Sequence, residues 1–116
     1  MQPKYLVAID FETANSNPHS VCQVGLLVFE EGELIFEYAT YLKPPLEYNE
    51  FNYYNIQVHG ITEHMVKNAP TWKQVYGNFK QYFDDAMFVA HNASFDMNVL
   101  KNINQYYNIS LRPSPY

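Results

Sequence analysis

The chain is poor in the features that mark secreted and membrane-bound proteins. It has a single cysteine among 116 residues, which excludes an internal disulfide and suits a reducing compartment. No apolar run approaches the length of a membrane span, and the first residues lack the pattern of a signal peptide. These absences predict a cytoplasmic protein with no membrane partner. Cys22 lies in a predicted strand, where a small buried apolar side chain is expected rather than a reactive thiol.

Basic residues are also few, since 7 lysines and arginines stand against 12 acids and give a formal charge of −5. This balance argues against a broad basic surface for duplex DNA. The charge is uneven along the chain. Residues 1–50 carry two lysines against eight acids, whereas residues 51–116 carry five basic residues against four acids. A contact with nucleic acid made by charge alone is therefore expected in the second half.

What the sequence does have is a buried strand that ends in two acids. An apolar run reaches Ile9 and is followed by Asp10, Phe11, Glu12 and Thr13. Because side chains alternate along a strand, Asp10 and Glu12 are expected on one face, where they repel each other unless a cation lies between them. The alternative is that the strand stops at Ile9 and both acids are solvated loop residues.

The remaining pattern predicts one small α/β domain over residues 1–116. Residues 21–29 and 34–42 alternate as strands of an antiparallel hairpin, joined by a short link that contains glycine. A capping box at Thr71 and Gln74 starts a helix that runs to residue 83. A short strand over residues 87–90 and a helix over residues 94–107 follow.

Two features of this pattern have more than one interpretation. The tyrosine-rich residues 46–58 are expected to form a surface loop over the core, with a wall for base stacking as the alternative. Asp96 lies in the first turn of the last helix, where the helix dipole favours a carboxylate. Alternatively, Asp96 lies at the end of the preceding strand and faces Asp10 and Glu12.

Three segments in order carry a resemblance to a known family. Asp10-Phe11-Glu12-Thr13, His59-Gly60-Ile61-Thr62 and Ala90-His91-Asn92-Ala93-Ser94-Phe95-Asp96 are similar to motifs of the DnaQ-like 3′–5′ exonucleases. The subgroup with the H-G-I-T segment includes the proofreading subunit of bacterial DNA polymerase III. The resemblance covers nearly the whole chain.

The resemblance implies an RNase H-like mixed sheet, an antiparallel meander followed by parallel strands, with helices. It also implies a domain that is incomplete at its C-terminus, truncated before a last strand, a helix and a third motif. That motif would contribute a histidine as general base and a fourth acid. No Asp, Glu or His follows Asp96 in this chain.

The resemblance further implies removal of nucleotides from the 3′ end of single-stranded DNA or RNA. The catalytic and metal-binding residues would be Asp10, Glu12 and Asp96, which would hold two divalent cations, Mg²⁺ or Mn²⁺. Contacts with the substrate are expected from six residues, namely Phe11, Thr13, His59, Ile61, Asn92 and Phe95. A DNA polymerase subunit is the expected protein partner. Without the third motif the chain is expected to be inactive or very slow, and the alternative is a non-catalytic module that binds nucleic acid or a polymerase.

The strand over residues 87–90 would lie at an open edge of the sheet, because its expected neighbour is missing. An unprotected apolar edge tends to pair with another chain. The sequence therefore predicts self-association through residues 87–90 or the tail 110–116.

Overall fold

The structure is a computed structural model that describes residues 2–110. Its sheet has four strands, and their bounds are Tyr5–Thr13 (β1), Val21–Glu30 (β2), Glu33–Tyr41 (β3) and Ala86–Val89 (β4). The order across the sheet is β3-β2-β1-β4, with β1 antiparallel to β2, β2 antiparallel to β3, and β1 parallel to β4. The predicted meander followed by a parallel strand is confirmed.

The hairpin between β2 and β3 turns on two residues with left-handed backbone. Glu31 has φ 51° and Gly32 has φ 83°. Positive φ at both central residues is the requirement of a type I′ turn, whose twist matches that of the flanking strands. The predicted hairpin is therefore closed by the shortest common connection.

The helices include one that the pattern of residues did not predict. The four α-helices span Tyr53–His59 (α1), Trp72–Tyr76 (α2), Lys80–Phe83 (α3) and Ala93–Tyr106 (α4), and 3₁₀ helices span Leu46–Tyr48 and Glu63–Val66. Both β4 and α4 begin and end one residue before their predicted bounds. The core thus follows the predicted element order, with α1 as the addition.

The prediction of an unbroken loop over residues 46–58 is wrong, because α1 has its own start and stop. The Asn52 side chain accepts a hydrogen bond from the Tyr54 amide at 2.7 Å. Gly60 has φ 73° and donates its amide to the Ile56 carbonyl at 2.7 Å. Asparagine at the N-cap and left-handed glycine after the last turn are favoured helix ends. A seven-residue helix is too short to show a convincing apolar period.

The single helix predicted over residues 71–83 is wrong in its middle. Its start is confirmed, since the Thr71 hydroxyl accepts from the Gln74 amide and the Gln74 side chain accepts from the Thr71 amide. The helix then stops at Gly77, and Phe79 has φ −137°, outside the helical region. Phe79 is fully buried, and its ring centroid lies 5.5 Å from that of Tyr38 on β3. Packing against the sheet therefore outweighs helical continuity here.

One face of the sheet is buried beneath α2, α3 and α4. The buried strand residues include Val7, Ile9 and Phe11 of β1 and Val24, Leu26 and Val28 of β2. The helices contribute a cluster of rings centred on Trp72, whose indole N–H donates to the Asn104 side-chain oxygen at 2.7 Å. A smaller cluster of Cys22, Ile61 and Val66 lies apart from this core.

The opposite face of the sheet and the outer side of β4 stay uncovered within residues 2–110. Leu27, Met87 and Val89 are 36–40% exposed there. No strand pairs with β4 on its outer side in the described part of the chain, so the expected sheet edge is present. Residues 111–116 of the predicted tail contact lie outside the described residues. Among residues 2–110 no helix is long and apolar enough to cross a membrane.

Candidate active site

The carboxyl end of β1 presents its two acids away from the core. Asp10 is exposed and Glu12 is half-buried, whereas Phe11 and Thr13 between and after them are 1% and 5% exposed. This alternation continues the pleat of the strand, so the interpretation of Asp10 and Glu12 as loop residues is wrong. The Phe11 ring packs against Trp72 at a centroid distance of 5.4 Å. The expected contacts of Phe11 and Thr13 with substrate need surface that these side chains do not expose.

Asp96 meets β1 through the backbone between the two acids. Its Oδ1 atom accepts a hydrogen bond from the Phe11 amide at 2.9 Å, across 85 residues of sequence. The contact is possible because β4 pairs with β1 only as far as Ala8, and the first turn of α4 lies beside the rest of the strand. Asp96 is 2% exposed, so a carboxylate is held in a buried position next to Asp10 and Glu12. The structure therefore brings the acids of the first and last motifs together.

Burial and neighbouring acids disfavour the charged forms of Glu12 and Asp96. Burial is the main cause that raises the pKa of Glu12, and the charges of Asp10 and Asp96 add to it while His59 opposes it. Burial likewise raises the pKa of Asp96, and Asp10 adds to the rise. The Phe11 amide and His91 act in the opposite direction on Asp96. A site of this kind gains stability when a cation neutralises part of its charge.

The donor set fits hard divalent cations, which prefer carboxylate oxygens. With the side chains in their present positions, residues 2–110 contain no group of three His, Cys, Asp or Glu close enough to hold one metal ion. The sharing of a cation by Asp10, Glu12 and Asp96 therefore stays a prediction. Its physical basis is the proximity and mutual repulsion of these groups.

His59 fastens α1 to the end of β1. The Ile61 amide donates to its Nδ1 atom at 2.9 Å, so the neutral ring carries its proton on Nε2 and donates it to the Thr13 carbonyl, also at 2.9 Å. Asn55, one turn earlier, donates to the same carbonyl at 3.1 Å. Both ring nitrogens of His59 are thus occupied by the backbone. The described contacts give His59 a positioning role, and its contact with substrate stays a prediction.

The Ile61 side chain is 3% exposed and packs with Cys22 and Val66. The predicted contact of Ile61 with a base needs surface that the structure does not expose at this residue. Cys22 is fully buried, and burial raises the pKa of its thiol to about 12. The expectation that Cys22 is a buried side chain is confirmed.

The other motif residues lie on the rim of the site. Asn92 precedes the first turn of α4 and is exposed, and Phe95 is 37% exposed. Both are accessible to a ligand near Asp96, although no contact with one is described. His91 lines a cavity of about 620 Å³ on the uncovered face of the sheet, together with Asp10.

Sequence reasoning did not assign a role to Asn55 or to His91. The signal for Asn55 was its spacing of four residues from His59, which places both on one side of a helix. That signal was hidden because the segment was interpreted as a loop. The signal for His91 was its position in the last motif, in which Asn92, Phe95 and Asp96 were predicted to be site residues.

The comparisons with known proteins identify the family. A family model described as exonuclease matches residues 7–109. The chain belongs to the exonuclease family. The matched residues include all three motifs, and with them Asp10, Glu12 and Asp96. The predicted resemblance to DnaQ-like exonucleases is therefore confirmed.

Named relatives of this exonuclease domain are much longer proteins. The chain is 31% identical over 97 residues to a PolC-type DNA polymerase III of Thermotoga maritima, covering 82% of this chain and 7% of the relative. It is 31% identical over 104 residues to the 3′-5′ exonuclease DinG of Bacillus subtilis, covering 87% of this chain and 11% of the relative. The match thus concerns a small part of each relative.

Solved structures show the same fold. The nuclease domain of 3′hExo, a DEDDh family member bound to rAMP, superposes with a TM-score of 0.73 at 17% identity. The superposition covers 96% of this chain and 63% of that domain. The expected RNase H-like mixed sheet is confirmed by this likeness.

Proposed function

We propose that the chain is a 3′–5′ exonuclease domain that hydrolyses phosphodiester bonds at the 3′ end of single-stranded DNA or RNA. The family supports a nuclease, and a named relative is a 3′-5′ exonuclease. The observation that carries the proposal is the hydrogen bond from the Phe11 amide to Asp96 Oδ1. This bond supports the proposal because it holds the Asp96 carboxylate at the backbone between Asp10 and Glu12.

The proposed cofactors are two divalent cations, Mg²⁺ or Mn²⁺, held by Asp10, Glu12 and Asp96. When bound, such a pair supplies an activated water and stabilises the leaving oxygen. Asp10, which is exposed, would meet the ions from the solvent side, whereas Asp96 would hold them from the buried side. The anchored Oδ1 atom of Asp96 leaves its second oxygen free to serve as the ligand.

The surrounding residues would hold this arrangement in place. Asn55 and His59 fix the Thr13 carbonyl, so the strand end that carries Glu12 has few alternative positions. Preorganised groups act without reorganisation during the reaction. Asn92 and Phe95 are the motif residues with accessible surface and are the proposed contacts for the terminal nucleotide.

Titration calorimetry with Mn²⁺ tests the metal site. Asp10→Ala should abolish binding, because it removes the accessible ligand of the proposed set. Glu33→Gln is the matched control, since it removes an exposed acid at the other end of the hairpin and should leave binding unchanged. Unaltered Mn²⁺ binding by Asp10→Ala would contradict the proposed site.

We also propose that the 116-residue chain cleaves slowly or not at all by itself. A general base contributes about 10²–10⁴-fold to rate, and no Asp, Glu or His follows Asp96 to serve as one. Release of mononucleotides from a single-stranded oligonucleotide in Mg²⁺ measures this. Rapid release that Asp96→Asn leaves unchanged would contradict the roles assigned to the carboxylates.

A second candidate is a non-catalytic module that binds nucleic acid or a DNA polymerase subunit. It is favoured by the lack of any three-residue metal-binding group among residues 2–110 and by the similarity to a polymerase. Binding of a single-stranded oligonucleotide without any affinity for Mn²⁺ would support this candidate over the enzyme. A single domain over residues 1–116 is proposed in either case.

Self-association is proposed through the open edge of β4. Met87 and Val89 are 37% and 40% exposed there, and β4 carries neither charge nor proline. Light scattering should show an oligomer at high concentration. A monomer with rapid amide exchange at Phe88 and Val89 would show instead that the edge stays open.

A further inference from the structure

A second pocket, lined mainly by apolar and basic residues, lies beside the carboxyl end of β3. Its volume is about 480 Å³, and an apolar floor is combined with a basic rim. Pro44, Leu46, Phe51 and Val66 provide the apolar part, and the rim is formed by Lys43, Asn49, Glu63, His64 and Lys67. No role in the carboxylate site has been assigned to any of these residues.

The strand register places this pocket at the same end of the sheet as the carboxylates. Glu12 pairs with Gln23 of β2, and Gln23 pairs with Tyr41 of β3. Since neighbouring strands are roughly 4.8 Å apart, Glu12 and Tyr41 are separated by about 10 Å across the sheet. Lys43 follows Tyr41 by two residues. The register therefore places Lys43, one residue of the pocket, at the end of the sheet where Asp10 and Glu12 lie.

The charge of the pocket is unusual for this chain. The formal net charge is −5, yet two lysines and a histidine face a single acid, Glu63, around the opening. Within residues 2–110 the one ion pair joins Lys4 to Glu30 at 4.0 Å, so neither Lys43 nor Lys67 is paired in the described structure. Both lysines are exposed and can reach an anion.

The apolar floor of the pocket is suited to contact with the base of a nucleotide. Phe51 is half-buried against the cluster of Cys22, Ile61 and Val66, which fixes its ring, and Leu46 is 78% exposed. Single-stranded nucleic acids bind where cationic side chains follow the backbone and aromatic faces receive bases. The pocket offers both within one opening.

We propose that this pocket binds a nucleotide of a single-stranded substrate upstream of its 3′ end. Lys43 and Lys67 contact its phosphates, and Phe51 and Leu46 contact its base. The proposal rests on the proposed exonuclease function and adds to it a subsite for the body of the strand. It explains how an acidic domain retains an anionic substrate at a distance from its carboxylates.

Fluorescence anisotropy with a 5′-labelled hexathymidylate tests the subsite, using the whole chain with Asp10→Asn to prevent hydrolysis. Lys43→Gln combined with Lys67→Gln should weaken binding on the order of tenfold at 0.1 M salt. The slope of log affinity against log salt should decrease by about 0.7 for each lysine removed. Leu46→Ser should weaken binding several-fold without changing that slope.

The matched control is Lys73→Gln combined with Lys101→Gln, which removes two exposed lysines from α2 and α4. It should leave affinity and salt slope unchanged. Thymidine monophosphate, which is too short to reach the pocket, should bind equally well with and without Lys43 and Lys67.

The possible results separate this proposal from the exonuclease function. Equal binding of hexathymidylate by both lysine pairs, or no binding by the parent chain, would overturn the subsite even if Mn²⁺ binding depends on Asp10. Lysine-dependent binding without Mn²⁺ affinity would retain the subsite and reject the metal site. Lysine-dependent binding of a hexaglutamate peptide in place of hexathymidylate would assign the pocket to an acidic protein partner and overturn the proposal.

Discussion

The two ends of α4 each make a buried polar contact, and the contacts differ in charge. At the first turn, Asp96 accepts from the Phe11 amide at 2.9 Å. Near the last turn, Asn104 accepts from the Trp72 indole at 2.7 Å. Both side chains are almost fully buried, at 2% and 3% exposed. The neutral contact joins two elements of the core, whereas the charged contact joins α4 to the strand that carries Asp10 and Glu12.

The difference in charge supports the proposed role of Asp96 as a metal ligand. The buried Asn104 Nδ2 atom has no hydrogen-bond partner among the described residues, which costs about 1–3 kcal/mol, but a buried carboxylate next to other acids costs more unless it is compensated. The Phe11 amide, His91 and the helix dipole favour the charge of Asp96, and still its pKa is raised by burial and by Asp10. Carboxylates whose pKa values are raised by burial and by neighbouring acids are typical of functional sites.

The largest loss of stability is expected when a charge is introduced at Asn104, near the last turn of α4. Asn104→Asp should destabilise the fold by several kcal/mol at pH 7, because the core there offers no compensating cation. Acidic pH should recover part of the loss, since the new carboxyl would then be protonated. Chemical denaturation at pH 7 and pH 4 measures this.

Asn98→Asp is the matched control for that substitution. Asn98 lies on the exposed side of α4, so the added charge stays in water and the change should be within about 0.5 kcal/mol. An Asn104→Asp chain as stable as the parent at pH 7 would mean that solvent reaches the end of α4.

The second-largest difference in stability is expected between two substitutions that remove the charge of Asp96. Asp96→Ala leaves the Phe11 amide without an acceptor, whereas Asp96→Asn retains a side-chain oxygen at the same place. An unsatisfied buried donor costs about 1–3 kcal/mol, so the alanine chain should be less stable than the asparagine chain by that amount. Equal stability in urea denaturation would show that the Phe11 amide finds another partner.

The sequence predicted the element order because apolar periodicity is strong in the strands and in α4. It also selected Asp10, Glu12 and Asp96, since these acids follow directly from strand alternation and motif order. It could not predict the Asp96 contact with Phe11. That bond depends on the pairing of β4 with β1 ending at Ala8, and the length of a pairing is decided by tertiary structure.

Two other features were beyond the sequence for a related reason. The break at Phe79 accompanies the packing of its ring against Tyr38 of β3, and local propensity carries no information on that contact. The hydrogen bonds from Asn55 and His59 to the Thr13 carbonyl depend on α1, a helix that is stabilised by its caps and by tertiary hydrogen bonds. Local patterns therefore predicted which groups are present, and long-range contacts decided how they are held.

A smaller effect is expected for Asp96→Asn against the parent chain, without metal. The folded-state pKa of Asp96 is raised, so its contribution to stability is present below the ordinary carboxyl pKa and is lost as pH rises through the raised value. Asp96→Asn should therefore raise the thermal midpoint by about 2–5 °C at pH 7 in EDTA.

The gain should disappear near pH 3, where both side chains are neutral. Saturating Mn²⁺ should reverse the order at pH 7, because only the parent chain retains the proposed ligand and ion binding stabilises the folded state. A lower midpoint for Asp96→Asn in EDTA would show that the carboxylate stabilises the fold as it stands.

The smallest effect is expected at a third contact of α4, which is charged but exposed. The Tyr106 hydroxyl donates to Glu47 at 2.7 Å, and this bond is the main cause that raises the pKa of Tyr106 to about 12 and lowers that of Glu47. Water competes for both groups, so Tyr106→Phe should change the thermal midpoint at pH 7 by about 1 °C or less. Tyr53→Phe, at a residue that is 76% exposed, is the control.

The sign of the pH dependence separates this contact from the one at Asp96. The lowered pKa of Glu47 gives stability that is present above the ordinary carboxyl pKa and is lost as pH falls. The small cost of Tyr106→Phe should therefore vanish in acid, whereas the gain from Asp96→Asn grows from acid toward neutrality. If Tyr106→Phe instead destabilised the chain as much as Asn104→Asp, burial would not be what distinguishes the contacts of α4, and the assignment of Asp96 to function would lose its physical basis.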